Sequence, residues 1–113
     1  MACIFCRIIE GAAPAQILYK DDQVTAFQDS RPISPVHLLV VPNEHIHSLN
    51  DCRPEHEQLL GHMVRVARQL AEEQRVHFSG YRLVFNTGPD AGQSVFHIHL
   101  HLLGGRHLPF RFE

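Results

Sequence analysis

The sequence predicts an α+β fold in which an antiparallel sheet packs against one long helix. Short apolar or alternating segments separated by turn residues recur along the chain, and a single stretch has helical periodicity. A doubly wound parallel sheet would need a helix between most pairs of strands. Because 113 residues is the length of one domain, we expect residues 1–113 to form a single domain.

The first half of the chain predicts a short helical turn and a hairpin. IFCRII (4–9) fits a helical turn, which the following EGAAPA interrupts. QILYK (16–20) and VTAFQD (24–29) flank a DDQ turn and are expected to pair. After a proline-stiffened loop, the apolar run HLLVVP (37–42) predicts a central strand.

The second half predicts the long helix and the remaining strands. From Pro54 to Gln74 apolar residues recur on one stripe, and a proline in the first turn favours a helix start. YRLVFN (81–86) alternates as a strand does. The glycine-bearing loop TGPDAGQS (87–94) leads into VFHIHLHLLG (95–104), which predicts a neighbouring strand.

Composition argues against several classes of protein. Ten Lys and Arg against twelve Asp and Glu give a formal charge of −2 without a long block of one sign, so no nucleic-acid partner is expected. A bilayer-spanning apolar run and a secretory signal are both missing, so no membrane partner is expected. Three cysteines do not form an even disulfide framework. We therefore expect a cytoplasmic protein.

Three histidines at two-residue spacing are the main functional signal. In a strand, His97, His99 and His101 would share one face, and the aliphatic residues between them would share the other. Three interpretations are open: polar residues on a solvent-facing strand, a zinc site that His37 or His101 could complete, or a neutral imidazole acting as a nucleophile. A reference pKa of about 6.5 leaves much histidine neutral at cellular pH, which suits the third.

The loop before these histidines favours nucleophilic catalysis. Gly88 and Gly92 allow backbone to approach a ligand closely, and Gln93 and Ser94 immediately precede the histidine strand. Backbone N–H groups and a hydroxyl beside a nucleophile suit a phosphate or another oxyanion. An ordinary hairpin turn is the alternative for the glycines.

The segment GQSVFHIHLHLLGGR resembles the His-x-His-x-His signature of the histidine-triad (HIT) superfamily, and its flanks resemble the Hint branch. AFQD, PVHLLVVPNEHI, LLGHM and GYRLVFN resemble that family in the same order, so the resemblance covers nearly the whole chain. It implies a HIT-like fold: a five-stranded antiparallel sheet with one long and one short helix, paired into a homodimer by a continuous sheet. It also implies cleavage of adenosine 5′-phosphoramidates or related purine nucleoside monophosphate conjugates.

The same resemblance assigns roles to the histidine cluster. His99 matches the nucleophile, which forms a nucleotidyl-histidine intermediate that water later releases. His101 and Ser94 match positions that hold phosphate oxygens and assist the leaving amine, while His37 and His97 complete the cluster.

Further positions match a purine-nucleotide site. Asp29 matches the acid that binds the ribose hydroxyls, since a carboxylate accepts two hydrogen bonds from a cis-diol; an Asx-type turn is the alternative. Asn86 matches a residue on the leaving-group side. The other matching positions are Ser30, Gly92 and Gln93 and, for the base pocket, Phe5, Ile8 and Phe27. Plain core packing is the alternative for the apolar three.

The CIFC segment raises the question of a metal. A Cys-x-x-Cys pair alone is a weak signal that needs two further ligands. Some bacterial-type members of the superfamily bind zinc with this pair, a histidine after the central strand and the first triad histidine. The resemblance thus implies a structural zinc at Cys3, Cys6, His45 and His97, and no cofactor for the chemical step. Two half-buried thiols in a helical turn are the alternative.

Two other functions remain open at this point. A zinc-dependent hydrolase would use the histidine strand as ligands. A non-catalytic nucleotide-binding or interaction module would bind the ligand without turnover.

Overall fold

The computed structural model describes residues 3–109 and contains a five-stranded antiparallel sheet with strand order β1-β2-β3-β5-β4. The elements are α1 (Ile4–Ile9), β1 (Ile17–Lys20), β2 (Val24–Gln28), β3 (Val36–Pro42), α2 (Glu57–Glu73), β4 (Tyr81–Phe85) and β5 (Leu100–Gly104). The predicted α+β class, with one long and one short helix, is confirmed. A single domain over 1–113 stays a prediction, because its first two and last four residues lie outside the described part.

Alternation along the strands divides the core between the two faces of the sheet. Even-numbered residues of β2, β3 and β5 pack with the apolar stripe of α2. Phe27, Leu39 and Val41 point the other way and pack against Phe5 and Ile8 of α1. We call this second side the α1 face. The odd-numbered histidines of β3 and β5 belong to it.

The two helices cover their faces unequally. The 17-residue α2 buries residues at helical spacing, namely Met63, Val66, Ala67, Leu70 and Ala71. Truncating a fully buried leucine in such a stripe costs about 2–5 kcal/mol. The six-residue α1 covers only part of its own face, which leaves room there for a cavity. In residues 3–109, no helix is both long enough and apolar enough to cross a membrane.

The histidine strand is shorter than predicted. The sequence predicts a strand over 95–104, but β5 begins only at Leu100. Pro42 has no N–H to offer a ladder, and its carbonyl accepts the ring N–H of His97 at 2.8 Å. The Ile98 N–H instead donates to the Ile46 carbonyl at 2.7 Å. His97 and His99 therefore lie in an irregular segment that leads into β5.

Asp21 ties α2 to the turn between β1 and β2. Its Oδ1 accepts the backbone N–H groups of Gln23 and Val24, and its Oδ2 is 2.7 Å both from the Tyr19 hydroxyl and from Nε2 of His62. Burial alone would raise the pKa of this carboxyl, but these hydrogen bonds, that of His62 foremost, hold it well below its usual range.

We expect Asp21→Asn to lower the free energy of unfolding by about 1–3 kcal/mol at pH 7, because the amide cannot accept every hydrogen bond that the carboxylate accepts. A carboxyl whose pKa is depressed by folding stabilises the protein above its unfolded pKa of about 3.9 and loses that effect as pH falls below it. The difference between variant and wild type should therefore shrink below about pH 4. Denaturant unfolding at pH 7 and pH 3 measures this. The exposed neighbour provides the control Asp22→Asn, and equal losses in both variants would contradict the assignment.

Candidate active site and metal centre

A cavity of about 880 Å³ opens on the α1 face. Phe5 and Phe27 form an edge-to-face pair in its wall, with ring centroids 5.4 Å apart. The apolar part of the lining also includes Ile4, Ile8, Leu39 and Val95, and the polar part includes Asp29, Ser30, Arg31, Ser94, His99 and His101. A cavity with an aromatic wall and a few polar groups suits a flat apolar ring attached to a charged group.

Most of the predicted site residues meet at this cavity. Phe5, Ile8, Phe27, Asp29, Ser30, Ser94, His99 and His101 line it. His37 and His97 lie immediately behind it, each within hydrogen-bond distance of a lining histidine. Within the described chain, Asn86, Gly92 and Gln93 lie outside the lining.

Gln93 braces the loop that carries Ser94. Its side-chain oxygen accepts the Gly88 N–H at 2.9 Å, and its amide donates to the His47 and Val95 carbonyls at 2.9 and 3.2 Å. With 5% exposure, this side chain is directed to the protein backbone. These contacts support the loop.

The sequence patterns did not predict several of the residues that line the cavity, among them Arg31, Leu39 and Val95. Leu39 could have been found from strand parity, since it shares the α1 face with Phe27. Arg31 lies two residues after Asp29, and its backbone N–H donates to Oδ1 of that residue at 2.8 Å. The cation gives the lining a charge suited to an anion.

Backbone geometry determines the tautomer of His99. Its Nδ1 lies 2.7 Å from the carbonyl oxygen of His97. Since a carbonyl can only accept, Nδ1 carries the proton and Nε2 of the neutral ring keeps a lone pair. The ring lines the cavity and is only 6% exposed. His99 therefore offers a nitrogen nucleophile or base to a ligand there.

His37 and His101 are held as the other tautomer, with the proton on Nε2. The Ile33 N–H donates to Nδ1 of His37 at 3.1 Å, which places the proton of neutral His37 on Nε2. That Nε2 is 3.2 Å from Oδ2 of Asp29 and 3.0 Å from Nδ1 of His101. A neutral His101 that accepts at Nδ1 carries its proton on Nε2. The cavity thus has a lone pair on His99 and an N–H on His101, with ring centroids 5.0 Å apart.

Burial keeps the cluster uncharged. It lowers the pKa of His37, and Asp29 opposes this only in part. In His101, burial and then the neighbouring His99 and His37 lower the pKa to about 4. His97 also has a lowered pKa, chiefly through burial. At neutral pH these rings are neutral, as both lone-pair chemistry and metal ligation require.

A second cluster lies beside the cavity and brings together Cys3, Cys6, His45 and His97, whose potential ligand atoms are all within 4.8 Å of one another. The distances from Nδ1 of His97 are 3.5 Å to Cys3 Sγ, 3.6 Å to Cys6 Sγ and 3.1 Å to His45 Nδ1, and Cys6 Sγ is 3.4 Å from His45 Nδ1. A tetrahedral zinc requires S···N separations of about 3.6 Å and N···N separations of about 3.4 Å. The cluster nearly has these dimensions.

The tautomer of His97 supports ligation as well. Its Nε2 donates to the Pro42 carbonyl at 2.8 Å, so the lone pair of the neutral ring is on Nδ1, which faces the two thiols. Two thiolates and two imidazoles are a ligand set of structural zinc sites. The residues present therefore fit a zinc ion.

Asp29, His37 and His101 also place three potential ligand atoms within 4.8 Å. Here the hydrogen bonds oppose a metal, because the Ile33 N–H keeps the proton of His37 on Nε2, the atom that would have to bind the ion. The geometry fits a hydrogen-bonded relay better than a metal site.

Comparisons with known proteins agree with this geometry. A family model described as "Scavenger mRNA decapping enzyme C-term binding" matches residues 2–110. Over 105 residues the chain is 50% identical to a protein of Escherichia coli K12 named purine nucleoside phosphoramidase, covering 93% of this chain and 88% of that protein.

Solved structures include close matches. A HIT family hydrolase from Legionella pneumophila is 44% identical with a TM-score of 0.92, covering 94% of this chain and 95% of that one. A zinc-bound histidine triad family protein from Mycobacterium smegmatis is 35% identical with a TM-score of 0.81, covering 94% of this chain and 76% of that one. The HIT-like fold expected from the sequence is confirmed.

We expect His101 to remain neutral down to about pH 4 in the folded protein. Since the unfolded chain takes up this proton at about pH 6.5, the group makes the folded state less stable as pH falls from about 6.5 to about 4. An NMR titration of the imidazole C–H signals measures this, with His101→Asn to assign the signal. The same titration in denaturant is the control. A His101 signal that titrates near pH 6.5 in the folded protein would contradict the prediction.

Proposed function

The chain belongs to the histidine-triad family of hydrolases, and from this premise we propose that it hydrolyses purine nucleoside 5′-monophosphate conjugates, adenosine 5′-phosphoramidates among them, at the α-phosphorus. The observation that carries the proposal is the lone pair on Nε2 of His99, which faces a cavity that also presents Ser94 and His101. The name of the Escherichia coli relative supports this choice of substrate class.

The cavity has a group for each part of such a nucleotide. The purine ring packs against the aromatic wall of Phe5 and Phe27. The carboxylate of Asp29 has four lone-pair sites, so it can accept the ribose hydroxyls while it still accepts the Arg31 N–H. Arg31, Ser94 and His101 provide the positive charge and the donors that a phosphate needs.

The tautomers support a two-step displacement. Nε2 of His99 attacks phosphorus, so that a P–N bond to the histidine forms while the bond from phosphorus to the leaving amine breaks. The amine leaves with a proton that His101 relays from solvent, so that the ring of His101 stays neutral, and general acid catalysis of this kind contributes about 10²–10⁴-fold. Water then attacks phosphorus and releases the nucleoside monophosphate, and the proton that the water loses returns to solvent through His101. Throughout, the His97 carbonyl stabilises the proton on Nδ1 of His99.

His37 and Asp29 orient His101 in this scheme. The single Nε2–H of His37 lies between Oδ2 of Asp29 and Nδ1 of His101, so no second proton fits between the two rings and the proton of neutral His101 stays on its Nε2. A zinc-dependent hydrolase that used these histidines would need the opposite tautomer at His37. A non-catalytic nucleotide-binding module is the alternative function. A measurement of substrate turnover distinguishes it from a hydrolase.

We also propose that Cys3, Cys6, His45 and His97 hold a structural zinc ion, a view that the zinc-bound relative from Mycobacterium smegmatis supports. When bound, the ion cross-links α1, the loop after β3 and the segment before β5. The chemical step proceeds on the histidines without a cofactor.

A homodimer and a cytoplasmic location are also part of the proposal. A homodimer with a continuous sheet has to pair at β1 or β4, the edge strands of the described sheet. A cytoplasmic location agrees with reduced cysteines at positions 3, 6 and 52, the first two of which are proposed to bind zinc.

We expect His99→Asn to lower kcat for adenosine 5′-phosphoramidate on the order of 10³-fold or more, because the variant has no nitrogen nucleophile. AMP binding, measured by calorimetry, should persist. The wild-type protein quenched during turnover should carry an acid-labile nucleotide adduct on His99 in mass spectra. His77→Asn, in the exposed turn after α2, is the matched control. Unchanged turnover in His99→Asn, or an adduct on another residue, would contradict the mechanism.

We expect the purified protein to contain about one zinc per chain, and Cys6→Ser to lose it. Because an ion that binds only the folded state stabilises it by about 4 kcal/mol at about 1,000-fold excess over Kd, the thermal midpoint of the variant should fall as well. Metal analysis and calorimetry measure the two effects. Cys52→Ser, which removes the cysteine outside the cluster, is the control. Equal zinc contents in the two variants would refute the site.

A further inference from the structure

A second cavity, of about 510 Å³, lies between the turn after α2, the start of β3 and the residues that follow β5. We infer that this cavity is an anion site, in which Arg75 and Arg106 bind a phosphate group. It shares no lining residue with the cavity on the α1 face, so the inference does not depend on the proposed function.

The lining of this second cavity carries positive charge without a compensating acid. Arg75 and Arg106 line it together with the polar residues Gln74, Ser79 and His107, and the described lining contains no Asp or Glu. None of the ion pairs within residues 3–109 involves either arginine. A guanidinium stays charged throughout the ordinary pH range. Two such cations in one concave site, in a chain whose formal net charge is −2, favour an anionic ligand.

The guanidinium of Arg106 is oriented by the backbone around it. Its Nη1 donates to the His107 carbonyl at 3.0 Å, and its Nη2 donates to the Ile33 carbonyl at 3.1 Å. These bonds use two of its five N–H donors, so three remain for a ligand. The preceding Gly105 has φ +93°, and a Cβ there would lie 2.9 Å from Cβ of Pro35, so this segment is closely packed. An oriented cation loses less entropy when it binds a ligand.

Arg75 occupies a backbone position that glycine adopts more easily. The end of α2 forms a Schellman motif, in which the Arg75 N–H donates to the Glu72 carbonyl and the Val76 N–H donates to the Ala71 carbonyl, both at 3.0 Å. Arg75 has φ 60°, and within residues 3–109 it is the only residue other than glycine with a positive φ. A side chain is strained in this region. A strained residue that also lines a cavity points to a functional contact.

Helix stabilisation is the other explanation for Arg75, because a cation near the end of a helix interacts favourably with the last carbonyls. This explanation predicts that replacing Arg75 weakens the fold and leaves phosphate binding unchanged. It also gives no reason for Arg106, which follows β5 and lines the same cavity. Arg75→Gly separates the two explanations, because glycine relieves the strain while it removes the guanidinium.

The ligand is identified by its phosphate group, which a guanidinium binds through paired N–H donors. Inorganic phosphate and a nucleoside monophosphate share this group. The cavity has room for more than a phosphate ion. Phe78 precedes the lining residue Ser79 in the chain and is 93% exposed. An exposed aromatic ring next to a phosphate site suits stacking with a base, so the test includes both sources of phosphate.

The test titrates the wild-type protein with inorganic phosphate at constant ionic strength and follows the backbone amide signals by ¹H–¹⁵N NMR. We expect saturable shifts in residues 74–80 and 104–107, with a Kd on the order of 1 mM. Arg75→Gly and Arg106→Gln should each weaken binding about fivefold or more. The thermal midpoint of Arg75→Gly should not fall, so that its loss of binding cannot be ascribed to unfolding.

Arg68→Gln is the matched control, because Arg68 is an exposed arginine of α2 outside the cavity lining. This variant should bind phosphate as the wild type does. A parallel titration with adenosine 5′-monophosphate distinguishes the two sources. Tighter binding than that of phosphate at the same signals, with the difference removed by Phe78→Ser, indicates a nucleotide, and equal or weaker binding indicates the free ion. Shifts that do not saturate, that sodium chloride reproduces, or that persist in Arg75→Gly and Arg106→Gln would overturn the inference.

Discussion

One hydrogen bond, from Nδ1 of His99 to the carbonyl oxygen of His97, determines what this cavity can do. It places the lone pair of a buried imidazole towards the cavity, and with the opposite tautomer the same residue would present an N–H. The segment that provides this carbonyl lies outside the regular sheet. Its position is maintained by the ring contacts of His97 and by the backbone hydrogen bond from Ile98 to the Ile46 carbonyl.

The sheet separates two kinds of interior. Its even-numbered residues pack with α2 into an apolar core, and its odd-numbered residues meet the short α1, the cavity and the histidines. Because α1 has only six residues, its Phe5 packs against His97 and His99 while the cavity beside them stays open. Burial then lowers the pKa values of His37 and His101, which leaves neutral rings. The Ile33 N–H sets the proton position of His37, and His37 in turn sets that of His101.

Much of the fold could be predicted because it depends on local periodicity. The stripe from Met63 to Ala71 predicts α2, and the alternation through Leu100 and Leu102 predicts two-sided packing of the last strand. The start of that strand could not be predicted, because it depends on Pro42, a residue 55 positions away whose carbonyl binds His97. Likewise, the Gln93 side chain contacts loop backbone, and those partners are brought near it only by folding.

The sequence by itself determined which residues share a face and which chemical groups are present: the odd-numbered histidines, the two cysteines one turn apart, and the acid before the proline-rich loop. These follow from spacing, since a strand repeats every two residues and a helix every 3.6. Only the tertiary structure decided where each imidazole proton lies. The Ile33 N–H, the Pro42 carbonyl and the His97 carbonyl make that choice, because a neutral imidazole takes whichever tautomer its hydrogen-bond partners allow.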